Sequence, residues 1–348
     1  MDGVPFFFVE NVVENYKNNC RDLVSCKAVR GYFGRFANLL FTEKFYFVVN
    51  LMPRVGKAFV QLSGKHSDGA AKLEYAENNA QFLEKLVIDV ESSARHMEEI
   101  QLDDKLFWRL KKLAVRARTT QLRFQGDSAR ISPNICSCLK RLSMFVDELQ
   151  NSVYSESEGF VDLISSILNC DRLRSFELKT EIEHEKYRTE LLKAFFKPSF
   201  EVLEMKIDHS ETTSAILDAW LRKEDRLERK FIYSSGKPEF FENANLASGL
   251  KREDRFRWVE YNYPESIGDL AISKWIRQQV SESINHEYKH TARFYRLPHT
   301  RIPNHFACLT FVIEMNDEAD YPLTASGAKH FDDAGFARQS DSFFLFFS

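Results

Sequence analysis

Leu173-Arg174-Ser175-Phe176-Glu177-Leu178 and, after an amphipathic insert, Phe200-Glu201-Val202-Leu203-Glu204-Met205 share one apolar spacing, with hydrophobic residues at the first, fourth and sixth places. The spacing opens again at Leu83, Leu110, Leu139, Leu227 and Phe256, so successive starts lie 27, 29, 34, 27, 27 and 29 residues apart. A hydrophobic period in this range marks a repeat built from one short strand and one helix. Such a unit cannot bury its apolar side alone. Stacked neighbours supply the core and leave a ladder of strands on one side. The expected fold class is therefore α/β, a solenoid of strand–helix units in a largely parallel sheet over residues 43–314. A small helical domain at 1–42 precedes it and a tail at 315–348 follows.

Outward from that stretch, helical inserts are expected at His96 to Leu110, Glu158 to Leu168, Lys186 to Phe196, Glu211 to Leu221 and Ile267 to Val280. In the fourth, Ser210 is placed to cap orphan amides while Ile216, Leu217, Trp220 and Leu221 face inward. Lys44 to Met52 and Lys57 to Leu62 read as strands, and the near-continuous apolar run in the first implies burial on both faces. Phe306-x-x-Leu309-x-Phe311-x-Ile313 resumes the pattern as a terminal strand. The Phe343 to Phe347 cluster is read either as loose tail or as docked on the last repeat.

The totals exclude several classes. Hydrophobic residues at 44% and charged residues at 28% belong to a folded chain rather than a disordered one. A net charge of −3 gives no global pull toward nucleic acid or anionic lipid. The basic clusters at Lys105 to Arg118, Arg222 to Lys230 and Lys251 to Arg257 read as solvated faces. Six cysteines, Cys20, Cys26, Cys136, Cys138, Cys170 and Cys308, lack the pairing of a disulfide or zinc framework. No signal peptide is read at the N-terminus, and no run approaches the roughly 20 apolar residues of a membrane span. A cytoplasmic or nuclear setting is expected, with no membrane and no nucleic acid among the partners.

The first residues differ from the rest. Val4-Pro5 precedes an apolar run, Val12, Val13 and Tyr16 follow at helical steps, and Asp22-Leu23, Cys26, Val29, Phe33, Phe36 and Ala37 continue at spacings of three or four. Pro5 suits the first turn of a helix. The layout Val4-Pro5, Val12-Val13, Asp22-Leu23, Val29, Phe33, Ala37 resembles an F-box, with Val4 where leucine is usual and Phe33 where tryptophan is usual. The opening also resembles the expanded F-box-type families of nematodes. The resemblance implies that Val4, Pro5, Val12, Val13, Leu23, Val29 and Phe33 dock a Skp-type adaptor of a cullin ubiquitin ligase. The residues themselves also fit a helical cap that only closes the repeat array.

From Leu83 onward the chain resembles degenerate leucine-rich repeats of the long, helix-containing class. That family places asparagine or cysteine eight residues after the first leucine. Here the places hold Glu91, Arg118, Asp147, Glu181, Asp208, Ser235 and Pro264. A charged side chain there is expected to stay out of the interior. Lys230 interrupts one apolar slot.

Catalysis finds little support. His286-Glu287-Tyr288-Lys289-His290 matches the HExxH string of zinc peptidases, two histidines one helical turn apart with a glutamate as base. Lys289 would set an ammonium beside the metal, Arg293 and Arg296 fill the glycine and histidine places of the longer motif, and only Glu314 offers a distant third ligand. There is no G-x-G-x-x-G, Walker loop or G-x-S-x-G elbow. The chain is read as a non-enzyme without a cofactor.

Strand alternation names a surface. With the fourth and sixth residues of each unit inward, the third, fifth and seventh face outward. The later units then present Arg229, Phe231, Tyr233, Trp258 and Glu260, and arginine with aromatics is the composition of interface hot spots. These residues either bind an unknown protein substrate or pack beneath the C-terminal segment. The expected function is a protein-interaction adaptor, the substrate-recognition subunit of a cullin-type ubiquitin ligase, or alternatively a repeat scaffold unrelated to ubiquitin.

Overall fold

Phe45, Phe47, Val49 and Leu51 alternate along strand β1 (Phe45–Met52) and are all buried. The computed structural model describes residues 44–63, 72–90, 98–125, 131–153, 157–180, 185–205, 210–225, 229–235, 257–258, 289–299, 301–302, 305–315 and 342–347. The chain divides into two compact units, residues 1–123 and 124–348. The F-box-like segment, residues 1–42, lies outside the described residues, as do Glu260 and the helix expected at Ile267 to Val280.

In the first unit β1 pairs antiparallel with β2 (Lys57–Ser63) and parallel with β3 (Leu83–Val90). The β1–β2 turn closes on Gly56 at φ 66°, a left-handed conformation that suits glycine. β4 (Glu98–Gln101) extends β2 antiparallel, and β5 (Thr119–Phe124) lies beyond β3, giving the order β5-β3-β1-β2-β4. Helix α1 (Lys72–Asn78) packs against α2 (Asp104–Arg116). Asp103 caps α2 by accepting the Leu106 N–H at 2.8 Å, and Leu106, Phe107, Leu110, Leu113 and Ala114 form its buried stripe. Leu110 therefore lies inside a helix and opens no strand; that unit's strand is β5. The Leu-x-x-Leu spacing belongs equally to one helical face, and the cap at Asp103 decides between the two.

The second unit alternates helix and strand: α3 (Pro133–Lys140), β6 (Glu148–Asn151), α4 (Glu158–Leu168), β7 (Ser175–Leu178), α5 (Glu185–Phe195), β8 (Val202–Met205), α6 (Ser210–Arg222) and β9 (Lys230–Ser235). Leu139 is likewise helical. Ser132 caps α3 ahead of Pro133 at its first turn, and the strand begins nine residues after Leu139, at Glu148. β6 to β9 run parallel and in step, so Leu149, Phe176, Leu203 and Ile232 form one buried row and Asn151, Leu178, Met205 and Ser234 the next. Helices α3 to α6 pack as successive neighbours. Tyr187 of α5 meets Phe176 of β7 at a centroid distance of 6.1 Å. This is an α/β fold in which strands and helices alternate, as the 27-residue spacing implies.

Beyond β9 the sheet becomes antiparallel. β10 (Arg257–Trp258), β11 (Lys289–Pro298), β12 (Phe306–Met315) and β13 (Ser342–Phe347) join it, and the unit's order is β10-β11-β12-β13-β9-β8-β7-β6. The aromatic cluster, read as loose tail or as docked on the last repeat, is thus a strand inserted beside the parallel ladder, paired with β9. Phe343 to Phe347 are all buried. Phe347 packs edge-on against Phe195 and Trp220, whereas Phe344 and Phe346 stack on Phe231. An unbroken apolar run is what burial on both faces requires.

The polar links between units are not an asparagine ladder. Asp147 is 3% exposed, against the expectation that a charge at its place avoids the interior. Arg172 donates to both its carboxylate oxygens, at 2.9 and 3.0 Å, and the paired charge tolerates burial. Basic side chains cover the carbonyls that helices leave at their C-terminal ends. Lys197 donates to the Asn169 carbonyl after α4, Lys230 to those of Lys197 and Phe200 after α5, and Arg301 to that of Arg222 at the end of α6.

Candidate partner-binding face

One face of β6 to β9 meets the helices. Alternation sends Glu148 and Gln150, Ser175 and Glu177, Val202 and Glu204, Phe231 and Tyr233 to the other face. The parallel register aligns them as two rows, Glu148–Ser175–Val202–Phe231 and Gln150–Glu177–Glu204–Tyr233. Apart from Phe231 all are half-buried. Arg174, Glu201 and Arg229 stand exposed just before β7, β8 and β9. Glu177 and Glu204 oppose each other in register, an arrangement that weakens a ladder, and Lys179 at 3.1 Å from Glu177 offsets part of it. The centre of the face is acidic, and one rim holds Arg174 and Arg229 with Glu201 between them.

The residues singled out for partner binding are distributed unevenly. Arg229 is exposed and Tyr233 half-buried, with its ring 4.9 Å from that of Phe344. Phe231 is 2% exposed and stacks on Phe346 at 5.0 Å and Phe344 at 5.8 Å; its area is already consumed by β13. Trp258 pairs with Tyr295, which continues through Leu309 and Leu345 to Ile232. Its row is that of Ile232, not that of Phe231 or Tyr233. Glu260 and Val4, Pro5, Val12, Val13, Leu23, Val29 and Phe33 lie outside the described residues.

The zinc string is interrupted. His286, Glu287 and Tyr288 lie outside the described residues, and Lys289 and His290 open β11, paired with Met315 and Glu314. Its second histidine therefore sits in extended backbone, where two histidines four residues apart do not share a helical turn. Among the described residues no three metal-ligating side chains gather, and no helix is long and apolar enough to cross a membrane.

The apolar spacing sets the strand of that unit too early, at Leu139, and so passes over Glu148 and Gln150. The Ser132-Pro133 pair, a cap followed by a first-turn proline, was the signal that would have moved it. Comparison with protein-family models, curated proteins and solved structures finds no match to the chain.

Proposed function

We propose that the chain is a non-enzymatic protein-binding adaptor that holds a partner protein on the free face of β6 to β9. The supporting observation is that, among the described residues, helices pack against one side of the parallel ladder and the half-buried polar residues of β6 to β8 stand on the other. Parallel sheets are ordinarily covered on both. Here that other side carries Glu148, Gln150, Glu177 and Glu204, half-buried, with Arg229 and Tyr233 beside them, groups that select a partner by charge and hydrogen bonding. The stacking of the units as a leucine-rich-repeat-like solenoid belongs to the same proposal.

The F-box resemblance of residues 1–42 extends it. The chain is then the substrate-recognition subunit of a cullin-type ubiquitin ligase, docked on a Skp-type adaptor through Val4, Pro5, Val12, Val13, Leu23, Val29 and Phe33, an apolar strip suited to a groove. Ubiquitin transfer belongs to the other subunits. The test is co-expression with a Skp-type adaptor followed by size-exclusion chromatography. A stoichiometric complex that is lost in the Val13→Asp and Phe33→Asp variants supports the extension. A folded chain that elutes alone removes the ubiquitin link and leaves a repeat scaffold.

A further inference from the structure

We propose that the groove between α1 and α2 is a second docking site, one that takes an acidic peptide segment of a protein partner with an apolar anchor residue. The proposal does not rest on the adaptor reading. α2 carries two stripes. The inner one, with Leu106, Leu110 and Leu113, is buried. The outer one, Lys105, Trp108, Lys112 and Val115, repeats at steps of three, four and three and is exposed throughout. Trp108 is 58% and Val115 57% exposed, so the core of the unit does not account for either side chain. They border a recess of about 560 Å³ whose floor is formed by the buried Ala80 and Leu113. A recess with an apolar floor and a tryptophan on its wall is suited to receive one anchoring side chain.

Charge specifies the remainder of the ligand. Lys105, Arg109, Lys112 and Arg116 line the recess against the single carboxylate of Glu77, in a chain whose net charge is −3. Arg109 grips Glu77 with two bonds of 2.7 Å, which ties α2 to α1 and fixes the recess wall. The Lys112 ammonium lies 3.4 Å from the centre of the Trp108 ring. A carboxylate drawn to Lys112 is therefore delivered beside the indole, so the matching ligand alternates acids with an apolar residue. The one exposed indole of the groove cannot stack successive bases, which disfavours single-stranded nucleic acid. A recess presents less to a flat bilayer than a projecting apolar face does.

The full-length chain is titrated with a fluorescein-labelled peptide of glutamates bearing leucine at every fourth place, and with its glutamine-for-glutamate counterpart. The glutamate peptide is expected to bind with an affinity that falls as salt rises, and the glutamine peptide to fail. Trp108→Ala and Lys112→Glu, both at exposed positions, each weaken binding by about tenfold or more at unchanged melting temperature. Arg174→Ala, in the other unit, leaves it unaltered. Absence of binding at millimolar peptide, or parent-like binding by either variant, overturns the proposal. So does preferential binding of oligothymidine or phosphatidylserine vesicles that is lost in Trp108→Ala.

Discussion

The Lys230 ammonium donates to the carbonyl oxygen of Phe200 at 2.6 Å, with only 1% of the lysine exposed. Its second bond, 2.7 Å to the Lys197 carbonyl, completes the cover of the chain leaving α5, and the Phe195 ring lies 5.9 Å away. Lys230→Ala strands the Phe200 carbonyl, leaves the Lys197 carbonyl with its Phe200 N–H bond at 3.2 Å, and opens a cavity. The expected loss is about 2–4 kcal/mol in urea denaturation. Lys230→Met keeps the stem and loses less. A loss below about 0.5 kcal/mol for the alanine variant contradicts the capping role.

Phe347 belongs to the core rather than to a dispensable tail, because its ring sits 5.6 Å from Phe195 and 5.4 Å from Trp220. Phe347→Ala is expected to cost about 3–5 kcal/mol. Deletion of residues 342–348 uncovers Phe231 as well and abolishes the cooperative near-ultraviolet transition. A deletion variant that melts like the parent rules out β13.

Much of this architecture was legible in the sequence, and the failures have physical causes. Phe176, Leu178, Leu203 and Met205 alternate between charged neighbours, and a period of two admits only a strand. Leu110 and Leu139 obey the same spacing on helices, because i, i+3 steps satisfy both templates. Lys230 looked like a flaw in an apolar slot. Its carbonyl partners lie 33 and 30 residues away, and local pattern does not reveal them. For Phe231 the pattern leaves open a partner surface or cover by the C-terminal segment, and nothing in its own unit announces that a strand more than 100 residues later stacks upon it.

Asp89 is buried, and desolvation pushes its carboxyl above the ordinary carboxylate value, with Arg123 at 3.9 Å offsetting only part of this. The folded state then holds a proton that the unfolded chain has released. Stability falls as pH rises from the ordinary value through the raised one, and the deficit persists at neutral pH. Asp89→Asn is expected to raise the urea midpoint at neutral pH, with the gain shrinking toward acid. A variant less stable than the parent at neutral pH reverses the sign and refutes the assignment.

His299 is held in one tautomer. Its Nδ1 accepts the Arg301 and Ile302 N–H groups at 3.1 and 3.0 Å, so the ring proton resides on Nε2, 2.9 Å from the Trp220 carbonyl. The imidazole nitrogen shifts in a ¹⁵N spectrum are expected to report Nε2–H. A spectrum showing Nδ1–H excludes this latch on the end of α6.

Photo-crosslinking tests the partner face most directly. Benzoylphenylalanine is placed at Glu177 or Glu204 on the free side of the ladder and, as a control, at the exposed Lys193 on the helical side. The adaptor reading predicts that irradiation in cells joins a second protein to the two sheet positions and not to the helix. The same product is expected to disappear when Arg229 is replaced by glutamate. Equal labelling at all three positions, or none at Glu177 and Glu204 in a folded chain, contradicts it.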